Sequence, residues 1–200
     1  MSLARQSRSE LVLVPSERHV EVEAARGARA LTLRDFVTRA AEFAAPSFRA
    51  VSRETTRLLT RRELGDSPAA LALAVDDALG ELRRAGTRAE DLLAAGSRGA
   101  LLARALRQTD ARLTALGLRD ERASAWLAAR ALAELSLPEL DAVTTVRLRG
   151  ISRWDNGELA LIEALHRKLR ARSGAGVVVE LPDPSAARGT LLSESIAGAC

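Results

Sequence analysis

Between Val143 and Pro182 the chain reads VTTVRLRGISRWDNGELALIEALHRKLRARSGAGVVVELP, and this order leaves little conformational freedom. Val143–Leu148 is apolar and β-branched, as a buried strand requires. Asn156–Arg172 repeats its apolar residues at helical spacing, and Val177–Leu181 is a second apolar run. A glycine turn separates the first strand from the helix. Two strands joined through one helix form a βαβ unit, so the strands must be parallel and the crossover right-handed. A parallel sheet needs cover on both faces. The unit therefore predicts an α/β fold.

The preceding residues supply more of the same sheet. Leu11–Val14 is a short strand closed by Pro15-Ser16, Glu17–Ala25 a helix, and Ala30–Leu33 a second strand. Arg34–Phe43 carries Phe36, Val37, Ala40 and Phe43 on one helical face. From there to Leu135 the pattern is helical. Ser52–Leu64 has Ser52 as cap and Glu54 in its first turn. Ser67-Pro68 opens a helix that runs to about Ala85, burying Leu71, Val75, Leu79 and Leu82, and Gly86 stops it. Thr87–Leu93 forms a short helical turn. Ser97–Leu116 sets Leu101, Leu102, Leu106 and Leu113 along its inner face. Asp120–Leu135 is a last helix, carrying Trp126. The expected architecture is a short parallel sheet from residues 1–45 and 137–200, interrupted by a mostly helical insertion over 46–136. Four strands make a thin parallel sheet. A fragment of a larger chain, or a subunit that depends on a partner, is expected.

Composition narrows the class. With 200 residues, 47% hydrophobic and 28% charged, the chain can bury a real core. No apolar run is long enough to span a membrane, and Leu11–Val14 is too short for a secretion signal. Cys200 is the only cysteine, which rules out an internal disulfide and argues against a thiolate metal cluster. A cytoplasmic location is the default expectation. The net charge is +4, and Lys168 is the only lysine among 30 basic residues. Arginine suits phosphate recognition, although a GC-rich codon bias produces the same excess.

Catalytic constellations are missing from the pattern. Nucleotide hydrolysis needs a glycine-rich loop ending in lysine and a carboxylate near Mg²⁺. No such loop occurs, and the strand over 143–148 runs into Arg149-Gly150. Gly96 to Gly99 opens a helix inside the helical block and follows no strand. Asp155 and Glu158 fit a helix cap and its first turn. His19 and His166 stand apart from any ligand spacing, and His166 is expected to be solvated near a helix end. Asp76 and Asp77 are neighbours on one helix and diverge. Catalytic, nucleotide-binding and metal residues are therefore assigned to none, and no cofactor is expected. Nucleic-acid contact remains open. Ser16 and Thr32 each end a strand, where a hydroxyl can meet a phosphate. Arg53, Arg57 and Arg61 recur every four residues on one helix face and could track a backbone; a solvated face gives the same spacing. Trp154 could stack a base or cover the core edge.

Several segments together resemble a known family. LVLVPSERHVEV (Leu11–Val22) is similar to a strand with a Pro-Ser ending. ALTLRDFVTRAAEF (Ala30–Phe43) is similar to the next strand and a following "TF-x-x-F" element. ELRRAGTRAEDL (Glu81–Leu92), LTALGLRDERASAWLAARAL (Leu113–Leu132), RGISRWDNGELALIEAL (Arg149–Leu165) and VVVELP continue the series in order. Over about residues 10–182 the chain resembles the N-terminal, helicase-like region of AddB-type subunits, among the PD-(D/E)XK nuclease family proteins. The resemblance implies a RecA-like sheet that has lost its phosphate loop and its ATPase. It also implies a scaffolding role in DNA-end processing for recombination and double-strand-break repair. The implied partners are DNA, bound weakly and without sequence preference, and a helicase–nuclease subunit or the remainder of a longer chain. The family's phosphate loop and nuclease domain have no counterpart here. The alternative is a helical protein–protein interaction module with no role on DNA.

The missing phosphate loop predicts no hydrolysis of ATP or GTP. Steady-state phosphate release should stay at background with and without Mg²⁺, and chelator-sensitive turnover would overturn the expectation.

Overall fold

The computed structural model describes residues 9–135 and 137–180. Expectations for residues 1–8, for Leu181, for the tail beyond Pro184 and for Cys200 lie outside them. In chain order the elements are β1 (Glu10–Val14), α1 (Glu17–Ala25), β2 (Arg29–Thr32), α2 (Leu33–Ala44), β3 (Arg49–Val51), α3 (Arg53–Glu63) and α4 (Ala69–Ala85). These are followed by α5 (Gly96–Ala115), β4 (Leu118–Asp120), α6 (Ser124–Glu134), β5 (Thr145–Arg149), α7 (Asn156–Ser173) and β6 (Val177–Glu180). The chain is helix-rich with a short parallel sheet, the α/β class that the strand–helix–strand order predicts.

The main sheet runs β2-β1-β5-β6, and every pairing is parallel. Alternation sorts its two faces. Leu11 and Leu13 of β1 and Val146 and Leu148 of β5 join one core with Phe36, Ala128, Leu132, Leu161, Leu165 and Leu169. Helices α2, α6 and α7 supply that layer. Although α6 falls within 46–136, its Ala128, Ala129 and Leu132 belong to the core of the sheet. Helix α1 lies on the other face, against β1 and β2.

Helix ends follow the sequence signals at Asp155 and Gly86. Ser52, by contrast, makes no side-chain capping bond, and Pro68, not Ser67, takes the cap position of α4, the Ser67 hydroxyl donating back to the Leu64 carbonyl at 2.7 Å. Asp155 accepts from the Glu158 amide at 2.8 Å while Glu158 accepts from the Asp155 amide at 2.9 Å, a complete capping box at the start of α7. Gly86 closes α4 at φ 69°, in the left-handed region that glycine enters without strain. Its second duty is steric: a Cβ there would lie 2.5 Å from the Trp126 ring. A Cβ on Gly157 would lie 3.0 Å from the same indole. Trp126 thus packs against two glycines, and its Nε1 donates to the Arg84 carbonyl at 2.9 Å.

The helical block holds two unpredicted strands. β3 and β4 form a separate parallel pair; β4 takes Asp120, and a 3-10 turn takes Glu121–Ala123, from the start of the helix predicted over 120–135. The turn predicted at Thr87–Leu93 is a 3-10 helix at Glu90–Ala95. Leu71 and Leu101, expected inside, are 42% and 43% exposed. The reason is a rotated stripe: the buried residues of α4 are Ala72, Val75, Asp76, Leu79, Gly80 and Arg83. Leu71 lies off that line, and Leu101 lies similarly off the buried residues of α5.

That stripe carries two charged groups into the interior. Arg122 donates to Asp120 at 2.8 Å, to Asp76 at 3.1 Å and to the Thr56 hydroxyl at 2.7 Å. Arg83 donates to Asp120 at 2.7 Å and to Asp110 at 2.5 Å. Asp76, Asp120, Arg83 and Arg122 are all buried, so two cations balance two carboxylates. Burial opposes charge on Arg122, but the bonds to Asp120 and Asp76 outweigh it and raise its pKa. Gly80 makes room, since a Cβ there would fall 2.4 Å from the Arg122 Nη1.

Removing one partner of a buried pair leaves the other uncompensated. Arg122→Ala is therefore expected to cost about 3–5 kcal/mol, and Gly80→Ala about 1–3 kcal/mol through displacement of the guanidinium. Urea unfolding measures both.

Candidate functional site

The connections of a doubly wound sheet diverge where the strand order reverses, opening a crevice at the carboxyl ends of the strands. Here that point lies between β1, which leads outward to β2, and β5, which leads to β6 on the other side. β1 delivers Pro15 and Ser16 to it, and β5 delivers Arg149 and Gly150. The two turns approach closely: a Cβ on Gly150 would lie 3.8 Å from Pro15.

Ser16 is exposed and stands as N-cap of α1, but its hydroxyl makes no capping bond. Its Oγ lies instead 2.7 Å from the His19 Nδ1. In the first turn of α1 the His19 amide donates to the Ser16 carbonyl at 3.0 Å, and the Glu17 and Arg18 amides have no intrahelical acceptor. No carboxylate bonds to His19 among the described residues, so Ser16 and His19 lack the third group that would orient the imidazole as a base. Thr32, at the end of β2, is buried. Its Oγ1 donates to the Asp35 carboxylate at 2.7 Å and accepts from the Asp35 amide at 2.9 Å. That hydroxyl is occupied as the cap of α2.

Arg149 is held rather than free. It donates to Glu180 and to Glu23, both at 2.6 Å. Arg147, two residues earlier on the same face, pairs with Glu180 at 2.5 Å and with Glu10. A charge ladder, Glu10–Arg147–Glu180–Arg149–Glu23, thus crosses the sheet from β1 through β5 and β6 to α1. The bond from Arg149 holds the Glu180 carboxyl below the usual carboxylate range, with Arg147 adding to the effect.

The other candidates are scattered. Arg53 bonds Asp77 at 2.5 Å, and Arg57 approaches the same carboxylate at 3.7 Å. Two members of the stripe therefore face α4, while Arg61 is exposed. Asp76 and Asp77 diverge as expected, one into the buried network and one to the surface. Trp154 packs against the main core. His166 corrects an expectation: it is half-buried, and its Nδ1 accepts from the Val177 amide at 3.1 Å. Gly176 leaves it space, since a Cβ there would meet the ring at 2.7 Å. The ring fixes the start of β6. Lys168 is also committed, donating to the Leu132 carbonyl at 2.9 Å and to the Leu135 carbonyl at the end of α6.

A cleft of about 580 Å³ is lined by residues of α2, β3, α4, α6 and the start of α7. Its charges are mixed: Arg34 lies 3.5 Å from Glu121, and burial raises the pKa of Glu158. Among the described residues no three His, Cys, Asp or Glu side chains gather as a metal set, and no helix is long and apolar enough to cross a membrane. Sequence reasoning missed the ladder, although alternating charges on β5 were its visible signal. No protein-family model matches the chain, and no curated protein matches it either.

The ladder makes stability depend on pH. A carboxyl with a depressed folded pKa stabilises above its unfolded value and loses that contribution as pH falls through the folded value. For Glu180 the loss sets in below its ordinary value of 4.5. Glu180→Gln should weaken the chain near neutral pH and flatten its stability profile below 4.5. Denaturation midpoints across the acid range measure this.

Proposed function

We propose that the chain is a non-catalytic, helicase-like α/β domain of a DNA-end-processing assembly, contributing a scaffold and a weak contact to the sugar–phosphate backbone. The observation that supports this reading best is Ser16. It stands at the crevice where the strand order reverses, on a helix N-terminus, exposed and with its hydroxyl unused as a cap. A phosphate fits this position through the first helical amides, and the hydroxyl, 2.7 Å from the His19 Nδ1, joins them by releasing the imidazole. Arg149 occupies the end of β5 and neutralises the two carboxylates beside it, Glu180 and Glu23, which disfavours a metal there. That pairing supports the reading of a scaffold without nucleotide chemistry. Cytoplasmic action, a role in recombinational repair and a helicase–nuclease partner belong to the same proposal.

A second reading, a protein-interaction module with no role on DNA, draws on one specific observation. The helical block exposes Leu58 at 69%, Leu93 at 50%, and Leu71, Leu73 and Leu101 at 42–43%. Exposed leucines at this density suit a partner surface.

Salt-dependent DNA binding separates the two. Fluorescence anisotropy with a duplex oligonucleotide should give weak binding that falls steeply with salt. Each phosphate contact contributes about one to the slope of log K against log salt. Ser16→Ala should weaken binding at every salt concentration. Arg61→Ala should reduce the slope by about one, and Arg53→Ala by less, since Arg53 already holds Asp77. No binding at low salt would favour the interaction module.

A further inference from the structure

Helices α6 and α7 run side by side in the same direction. Near their starts a Cβ on Gly157 would lie 3.1 Å from the Ala125 side chain, and further along Lys168 donates to the Leu132 carbonyl at 2.9 Å. Over these later turns residues of the two helices line an open groove of about 510 Å³. Leu132, Ala164 and Ala171 give it apolar surface, and Arg167, Lys168 and Arg172 give it three cations. No carboxylate lines it among the described residues. Elsewhere the chain matches its cations: Arg147 and Arg149 meet Glu180, and Arg83 and Arg122 meet Asp120. Here no ion pair forms among the described residues. Lys168 and Arg172 donate only to backbone carbonyls, Arg172 through Nη2 to Leu140 and Val143 at 2.8 and 2.7 Å. A carbonyl satisfies a donor without cancelling its charge. Arg167 is exposed and makes no bond of either kind. Two helix dipoles end nearby, but together they offer about one negative charge against three positive.

At 100° per residue, Ala164 and Ala171 fall on one line of α7, two turns apart, with Arg167 on one side of that line and Arg172 on the other. A nucleic-acid backbone would use the charge and leave the apolar line uncovered. A helix with an apolar stripe flanked by carboxylates would use both, and alanines let its backbone come close. We propose that this groove docks an acidic amphipathic helix of a protein partner, its stripe laid along Ala164 and Ala171 and its carboxylates on Arg167 and Arg172. Arg172 reaches the carbonyls just before β5, so the groove lies at the amino ends of the strands. That is the far end of the sheet from Ser16, and the inference stands apart from any DNA contact.

A suitable probe is an alanine-rich helical peptide of about 18 residues, with leucines along one face and glutamates flanking them. Its control carries glutamine at every glutamate. In an NMR titration of the full chain near physiological salt, the acidic peptide should give saturable shifts of the Ala164, Arg167 and Ala171 amides. The glutamine control should bind at least about threefold more weakly. Arg167→Glu should weaken the acidic peptide at least about threefold. Arg107→Glu makes the same change in net charge at an exposed site outside the groove, and should leave the affinity unchanged. No saturable response, equal affinities for the two peptides, or equal losses in the two variants would each overturn the proposal. So would a duplex oligonucleotide that shifts the same amides more tightly than the peptide, which assigns the patch to nucleic acid. Shifts of these amides on concentrating the chain alone would assign the groove to a second copy and overturn it as well. If Arg167→Glu does not fold, the contrast between the two peptides on the parent chain decides alone.

Discussion

Four buried charges hold the helical block together. Asp76 on α4, Arg83 about two turns further along the same face, Asp120 at the end of β4 and Arg122 just beyond it meet in one hydrogen-bonded network. Thr56 brings in α3. Buried charge is costly unless it is paired and fully bonded, so the arrangement tolerates little sliding. A purely apolar interface could be repacked in several registers; this one demands particular donor and acceptor positions. The short strands β3 and β4 are placed by the same demand, because Asp120 must point inward from the last residue of β4. When it does, the neighbouring Arg119 must turn away toward α2.

The parts of this fold that were legible in the sequence are those built on apolar period and on punctuation. The strand–helix–strand order over 143–182, the strands at Leu11 and Ala30 and the cap at Asp155 all announce themselves. Gly86 does too, because a residue without a Cβ ends a helix in the left-handed region without strain. What escaped has a common physical cause. β3 reads Arg-Ala-Val and β4 reads Leu-Arg-Asp, too short and too charged to show alternation. Arg83 and Asp76 look like surface residues by type. Only their spacing from Val75 and Leu79, on the buried stripe of α4, gives them away. Leu71 and Leu101 illustrate the converse: a leucine within a helical pattern need not lie on its inner line. Of the site residues, Ser16 was placed by the end of its strand. The occupied states of Thr32, Arg53 and Arg149 depend on partners distant in sequence or on a local cap that spacing alone did not single out.

The main sheet handles its less covered face in an unusual way for parallel strands. Over β1 and β2 it is covered by α1, and Val12 and Val14 are buried there. Over β5 and β6 it carries Arg147, Arg149 and Glu180 in mutual bonds, with Val178 beside them 41% exposed. A thin sheet was expected to need a missing strand or partner to hide apolar residues. Along β5 the strand itself alternates core residues with paired charge, so that half of the sheet can meet water directly. The demand for cover is thereby concentrated at the outer edge, at Val178 and Val179.

Lys168 gives the chain a property that its arginine-rich surface conceals. It is the one side-chain primary amine in the sequence, and its Nζ is already spent on the closing carbonyls of α6. Reagents and enzymes that acylate lysine find a single side-chain target here, next to the core rather than on a free surface. Neutralising that amine would withdraw a positive charge from the C-terminal end of a helix dipole and loosen the junction between α6 and α7. Thirty cationic groups thus leave the molecule almost blind to lysine chemistry, with one point at which such chemistry would be read by the packing itself.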